Sequence, residues 1–175
     1  MKNNTYEKEF LKVKAFAFDV DGVCTNGNIM LFPGNEFIRT MNIKDGYAIQ
    51  YCIKQGYPMA IITGGNSETI KKRFNYLGVT NIYMKSSHKF LDYEDFRKRN
   101  KLEHKDILYM GDDLPDYEIM QHAGIPVCPA DAVDEIKQLA LYVSCKNGGE
   151  GCVRDVIEQV LKLQGKWMID GAFLW

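Results

Sequence analysis

No stretch of the sequence approaches the ~20 consecutive apolar residues that a membrane-spanning helix needs. The first sixteen residues also lack the apolar core of a secretory signal. Neither a membrane span nor a secretory leader is expected, and the cytoplasm is the expected compartment. Paired-cysteine motifs are missing too. The five cysteines (Cys24, Cys52, Cys128, Cys145 and Cys152) are odd in number, scattered and never spaced as CxxC. That excludes a disulfide framework and a structural zinc site, and suits a reducing environment. A surplus of either charge is absent as well: 22 Lys and Arg against 23 Asp and Glu give a net charge of -1, so nothing in the overall field would draw nucleic acid or an anionic membrane. An anionic ligand must be met by local charge. Only three histidines occur; His104 and His122 read as helix-end surface residues, and His88, a tempting acid-base group beside Lys89, reads the same way. Repeats, low-complexity tracts and internal linkers are also lacking. The 175 residues therefore read as one domain, 1–175, able to bury roughly two thirds of its unfolded surface.

What is present is organised around Ala15-Phe16-Ala17-Phe18-Asp19-Val20-Asp21-Gly22, an apolar run that stops at two carboxylates one residue apart. It reads as a buried strand whose end opens on a crevice, the place where open α/β sheets bind ligands. A plain Asp-Gly turn is the alternative reading. Further apolar runs end on chemistry-bearing residues: Ala60-Ile61-Ile62 on Thr63-Gly64-Gly65-Asn66, Ile82-Tyr83-Met84 ahead of Lys89, and Ile107-Leu108-Tyr109-Met110 on Gly111-Asp112-Asp113-Leu114-Pro115-Asp116.

Between these runs the chain alternates. After a short N-terminal helix and the first strand, two β-prone runs flank Pro33-Gly34-Asn35, which predicts a hairpin over about 27–42. Helical spacing follows at Tyr47 to Gln55, Ser67 to Leu77, Phe90 to Asn100, Pro115 to Ala123, Val133 to Ala140 and Val153 to Leu163. Strands are expected at Pro58 to Ile62, Asn81 to Met84, Asp106 to Met110, Ile125 to Cys128 and Leu141 to Val143. Strands alternating with helices predict an α/β fold with a doubly wound, mostly parallel sheet. The tail from about 165 to 175, with Trp167, Met168, Ile169, Phe173, Leu174 and Trp175, is unusually apolar for a chain end and suggests contact with something.

The ordered set DxD, Thr, Lys and GDDxxD resembles the haloacid dehalogenase-like phosphatase superfamily. Asn42-Ile43-Lys44-Asp45-Gly46-Tyr47 and Gly148-Gly149-Glu150-Gly151-Cys152-Val153-Arg154 narrow the likeness to its small capless branch. That branch comprises the phosphatases of octulosonic acid 8-phosphates and nonulosonic acid 9-phosphates, and the hairpin stands where other members insert a cap domain. The resemblance implies an Mg2+-dependent phosphatase working through an aspartyl-phosphate. The expected substrate is 3-deoxy-D-manno-octulosonate 8-phosphate, an intermediate on the way to lipopolysaccharide; a sialic acid or KDN 9-phosphate is the alternative.

The same resemblance assigns roles. Asp19 is the expected nucleophile and Asp21 the general acid and base. Magnesium is expected between Asp19, the main-chain oxygen of Asp21, and Asp112. Thr63, Gly64 and Lys89 are expected to hold the phosphoryl group, with Asp113 and Asp116 supporting from behind and Asp116 orienting Lys89 or a metal-bound water. Helix-entry acids and a plain surface lysine are the bland readings of Asp112, Asp113, Asp116 and Lys89. Asn42, Asp45 and Arg73 are expected to help bind the sugar acid. One departure stands out: many octulosonate phosphatases read TGR where this chain has Thr63-Gly64-Gly65, which leaves Arg73 as the expected partner of the carboxylate. A receiver-like signalling domain, which also joins acids, a Thr and a Lys on a doubly wound sheet, is the reading from a different class. The resemblance further implies a homotetramer in which hairpins meet around an axis and neighbours cover each site.

Overall fold

The computed structural model describes residues 5–33, 36–169 and 171–174. The first elements are α1 (Thr5–Phe10), β1 (Ala15–Phe18), the hairpin strands β2 (Met30–Phe32) and β3 (Glu36–Ile38), and α2 (Ile43–Lys54). The chain then alternates through β4 (Met59–Ile62), α3 (Glu68–Tyr76), β5 (Asn81–Tyr83), α4 (Lys89–Arg99), β6 (Ile107–Met110) and α5 (Tyr117–His122). It closes with β7 (Ile125–Cys128), α6 (Asp134–Leu139), β8 (Tyr142–Val143) and α7 (Cys152–Leu163).

Six strands form a parallel sheet in the order β5-β4-β1-β6-β7-β8, and β2 pairs with β3 in a separate antiparallel ribbon. The chain runs outward from β1 to one edge and then outward from β6 to the other. The switch point therefore lies between β1 and β6, and it opens a crevice beyond their carboxyl ends. The expected doubly wound sheet with a hairpin at the cap position is what forms. Part of the expected turn at Pro33-Gly34-Asn35 falls outside the described residues.

The pleat of β1 divides the interior. Phe16 and Phe18 face a core shared with α1, α2, α3 and α7, whereas Ala15 and Ala17 face a second core built with α4, α5 and α6. The small alanines let Tyr93, Phe96 and Tyr109 fill that second layer at close range.

One element begins earlier than expected. α2 starts at Ile43 and not near Tyr47, because Asn42 is its N-cap, with Oδ1 accepting the Lys44 N–H at 2.8 Å. The tail also departs from a free end. Tyr51 donates its hydroxyl to the Lys166 carbonyl at 3.0 Å, and Trp167 stacks edge-on against Tyr51 beneath Arg154. Tyr47 donates to the Ala172 carbonyl. The tail thus lies on α2 of its own chain, while Met168, Phe173 and Leu174 stay exposed. Among the described residues no helix is long and apolar enough to cross a membrane.

Candidate active site

Asp19 follows β1 directly, with its N–H donating to Met110 O at 3.0 Å, so its position is fixed by the sheet itself. The carboxylate is buried and sits 2.9 Å from Lys89 Nζ. Lys89, the first residue of α4, is buried as well, and its ammonium also donates to Asp116 Oδ1 at 2.7 Å. Asp116 is fully engaged: Oδ1 also accepts the Tyr109 hydroxyl at 2.5 Å, and Oδ2 accepts the N–H groups of Asp112 at 3.1 Å and Asp113 at 3.5 Å. A connected chain Tyr109–Asp116–Lys89–Asp19 results. Its far end is anchored inside the second core, which leaves Lys89 little freedom at the near end.

Burial, together with the nearby Asp116 carboxylate, pushes the Asp19 carboxyl well above its ordinary range, while Lys89 and the Val20 N–H pull it back. Burial works against the Lys89 charge, but Asp19 and Asp116 outweigh it and raise the ammonium above its usual value. Asp112 is pushed up to about 7, first by burial and then by Asp116. Too many carboxylates face one another here for the protein's own cations to balance.

That imbalance has the shape of a cation site. Carboxylate oxygens of Asp19, Asp112 and Asp116 lie within 4.8 Å of one another, and Asp112 Oδ1 is buried with no hydrogen-bond partner. Since both oxygens of Asp116 are occupied, Asp19 and Asp112 have the oxygens to offer. An all-oxygen set of hard ligands fits magnesium. Gly22 makes the approach possible: it holds φ +90°, and a Cβ there would lie 1.9 Å from Asp112 Oδ2.

Thr63 directly follows β4 and is buried, with Oγ1 accepting the Gly65 N–H at 3.0 Å. Its own hydroxyl hydrogen therefore remains available to a phosphoryl oxygen. Asp113 caps the short 3-10 turn Leu114–Asp116 through the Leu114 N–H at 2.7 Å and is otherwise exposed. The structure thus gathers Asp19, Asp21, Thr63, Gly64, Lys89, Asp112, Asp113 and Asp116 around one crevice of about 410 Å3.

Three expected site residues do not line it. Asn42 is the cap of α2. Asp45 is buried and accepts the Arg154 N–H at 2.7 Å, and burial lifts its carboxyl to about 6 against the Arg154 and Gly151 N–H groups. Arg73 lies over Gly46 and Tyr76. The segments Asn42–Tyr47 and Gly148–Arg154 are instead docked on each other, and Gly148 packs on the Gly22 carbonyl, where a Cβ would approach to 1.9 Å. In this chain they buttress the Asp19-Val20-Asp21 loop.

One residue at the site was not expected. Arg39, just past β3, grips Asp21 with both arms of its guanidinium: Nε to Oδ1 at 2.6 Å and Nη2 to Oδ2 at 3.0 Å. An arginine closing an apolar hairpin strand was the available signal. With its carboxylate taken, Asp21 is left its main-chain carbonyl to offer a cation.

A buried carboxylate on a strand end, backed by a lysine and a second acidic cluster across the switch point, defines a haloacid dehalogenase-like hydrolase, and the family profile of that description matches residues 78–157. The 3-deoxy-D-manno-octulosonate 8-phosphate phosphatase KdsC of Escherichia coli (strain K12) is 33% identical over 154 residues, covering 88% of this chain and 82% of that protein. The crystal structure of the phosphatase of the same name from Yersinia pestis superposes with a TM-score of 0.90 at 32% identity, covering 94% of this chain and 88% of that one. The Moraxella catarrhalis phosphatase, solved with magnesium, phosphate and KDO, gives 0.89 at 29% identity, covering 93% and 94%. The chain belongs to this family of haloacid dehalogenase-like phosphatases, which sets the receiver reading aside.

Proposed function

We propose that the protein hydrolyses 3-deoxy-D-manno-octulosonate 8-phosphate to the free sugar acid and inorganic phosphate, with Asp19 as nucleophile and magnesium held by Asp19, Asp112 and the Asp21 main chain. The observation that carries the mechanism is the buried Asp19 carboxylate held by Lys89 beside Thr63 at the switch point. The eight-carbon substrate is supported by the relatives named above. Bound magnesium supplies positive charge against the phosphate dianion and the crowded carboxylates.

The remaining work falls to the chain. Lys89 keeps one oxygen of Asp19 in place and leaves the other to attack phosphorus. Thr63 Oγ1–H and the Gly64 N–H orient the phosphoryl oxygens. As the ester P–O bond breaks, Asp21 gives its proton to the leaving alkoxide; the resulting carboxylate then takes a proton from the water that opens the Asp19 acyl-phosphate, restoring both groups. A carboxylate nucleophile divides one hydrolysis into two displacements, each with the same phosphoryl cradle.

The product is a precursor of lipopolysaccharide, and the cytoplasm is the setting we assign. We also assign a homotetramer. The hairpin leaves Met30, Leu31 and Phe37 more than half exposed, an apolar ribbon suited to contact with further copies, which would cover the crevice. In phosphate-release assays on the 8-phosphate, EDTA is expected to stop turnover and Mg2+ to restore it. Full activity in metal-free buffer would overturn the mechanism.

A further inference from the structure

We propose that Arg39 reads the carboxylate of the substrate's sugar acid, and that in the free protein its guanidinium is parked on Asp21 until that carboxylate draws it away. The inference rests on the sugar-acid phosphatase reading. Arg39 is 12% exposed in its side chain and makes a two-armed pair with Asp21, the geometry in which guanidinium meets a carboxylate most strongly. It also borders a second cavity of about 670 Å3 between the hairpin and the first turn of α3, whose walls include Phe37, Gly65, Ser67, Glu68 and Thr69. Gly64 and Gly65 line both this cavity and the Asp19 crevice, so the two adjoin at the phosphoryl cradle. The volume suits a small ligand, and the Ser67 and Thr69 hydroxyls suit a polyol. Among the described residues lining it, Arg39 is the sole cation. A sugar acid whose phosphate occupies the Asp19 crevice extends into this cavity and meets that cation.

Gly65 explains why the cation comes from the hairpin. A Cβ at this position would lie 3.3 Å from Thr63 Oγ1, 3.5 Å from Asp21 Oδ2 and 3.8 Å from Arg39 Nη2. The corner that a side chain at 65 would enter is the one Arg39 occupies. Position 65 carries no side chain and Arg73 is turned toward α2, so the guanidinium at this corner is the one from the hairpin strand.

The pairing has a chemical consequence. With both oxygens accepting from Arg39, the Asp21 side chain is held on the guanidinium and is not free to turn to a leaving group in the Asp19 crevice. A substrate carboxylate offers the guanidinium an equivalent two-oxygen partner. Exchange of one pair for the other frees Asp21 when the acid is seated, and a phosphate ester without a carboxylate leaves Arg39 in place. Substrate identity is thereby tied to the release of the Asp21 side chain.

The test compares wild type, Arg39→Ala and Arg39→Lys, all with Mg2+, on the octulosonate 8-phosphate and on a neutral pentose 5-phosphate, and measures binding of the unphosphorylated sugar acid by calorimetry. Arg39→Ala is expected to lower the acid-to-neutral ratio of kcat/KM by about tenfold or more and to weaken free-acid binding by a similar factor, with Arg39→Lys intermediate. Equal losses on both substrates with unchanged acid binding would overturn the proposal and leave Arg39 as a holder of Asp21. The wild-type turnover tests the phosphatase reading separately, since acid binding is read without catalysis. Arg39→Lys, which keeps the charge, guards against a folding defect in the alanine variant.

Discussion

Asp19→Asn is expected to lower kcat by about 10^4-fold or more, the scale on which removal of a covalent nucleophile acts, while leaving the fold in place. The amide has the shape of the carboxylate and keeps an oxygen for Lys89, but it cannot attack phosphorus. The fold survives because Lys89 retains Asp116 at 2.7 Å and because the introduced amide no longer repels that carboxylate. Rapid quench with labelled substrate should recover phosphate on the peptide containing Asp19 in wild type and none in the variant. A variant that turns over at the wild-type rate, or a label found on Asp112 or Asp116, would remove Asp19 from its role.

Asp112→Asn is expected to separate stability from function. In the metal-free protein the Asp112 Oδ1 is buried without a partner and faces Asp19 and Asp116. Ionising Asp112 therefore opposes folding. Its folded carboxyl is raised from 3.8 to about 7, so between those values the native state holds a proton that the unfolded chain has released. More protons on the native state means that this group's contribution to stability falls as pH rises through that window. Metal-free wild type should thus lose stability from pH 5 to pH 8 more steeply than Asp112→Asn. The variant should show a higher Tm at pH 8 without metal, and Mg2+ should raise the Tm of wild type while scarcely moving that of the variant. Activity should fall by about a hundredfold or more, as for loss of a charged ligand at the reacting centre. An unaltered Mg2+-dependent shift in Tm would take Asp112 out of the metal site.

Much of this was legible because the chemistry sits on strand ends. Apolar runs such as Ala15–Phe18 and Ile107–Met110 announce buried parallel strands, and whatever follows them lands at the switch point. Asp19, Thr63, Lys89 and Asp112 come together for that reason. What was not legible depends on pairing across the chain. Arg39 and Asp21 are 18 residues apart, and only the return of the hairpin toward the crevice joins them. Tyr109 reads as one more apolar residue of β6, yet the pleat turns its hydroxyl toward α4 and α5, where Asp116 accepts it; a phenol in a fully buried run, needing a partner, was the available hint. Asn42 and Asp45 look like ligands because they are polar residues in a specific motif. In the fold they satisfy the backbone N–H groups of two helix starts, and no single sequence stretch reveals that the second of these belongs to α7.

The central claim is the substrate and its route, and the most direct measurement is kcat/KM for 3-deoxy-D-manno-octulosonate 8-phosphate against nonulosonic acid 9-phosphates, with Mg2+ and purified protein. The 8-phosphate is expected to lead by at least about tenfold, since a cavity bounded by the hairpin discriminates on the length that separates phosphate from carboxylate. A higher kcat/KM for a nine-carbon substrate would contradict the assignment.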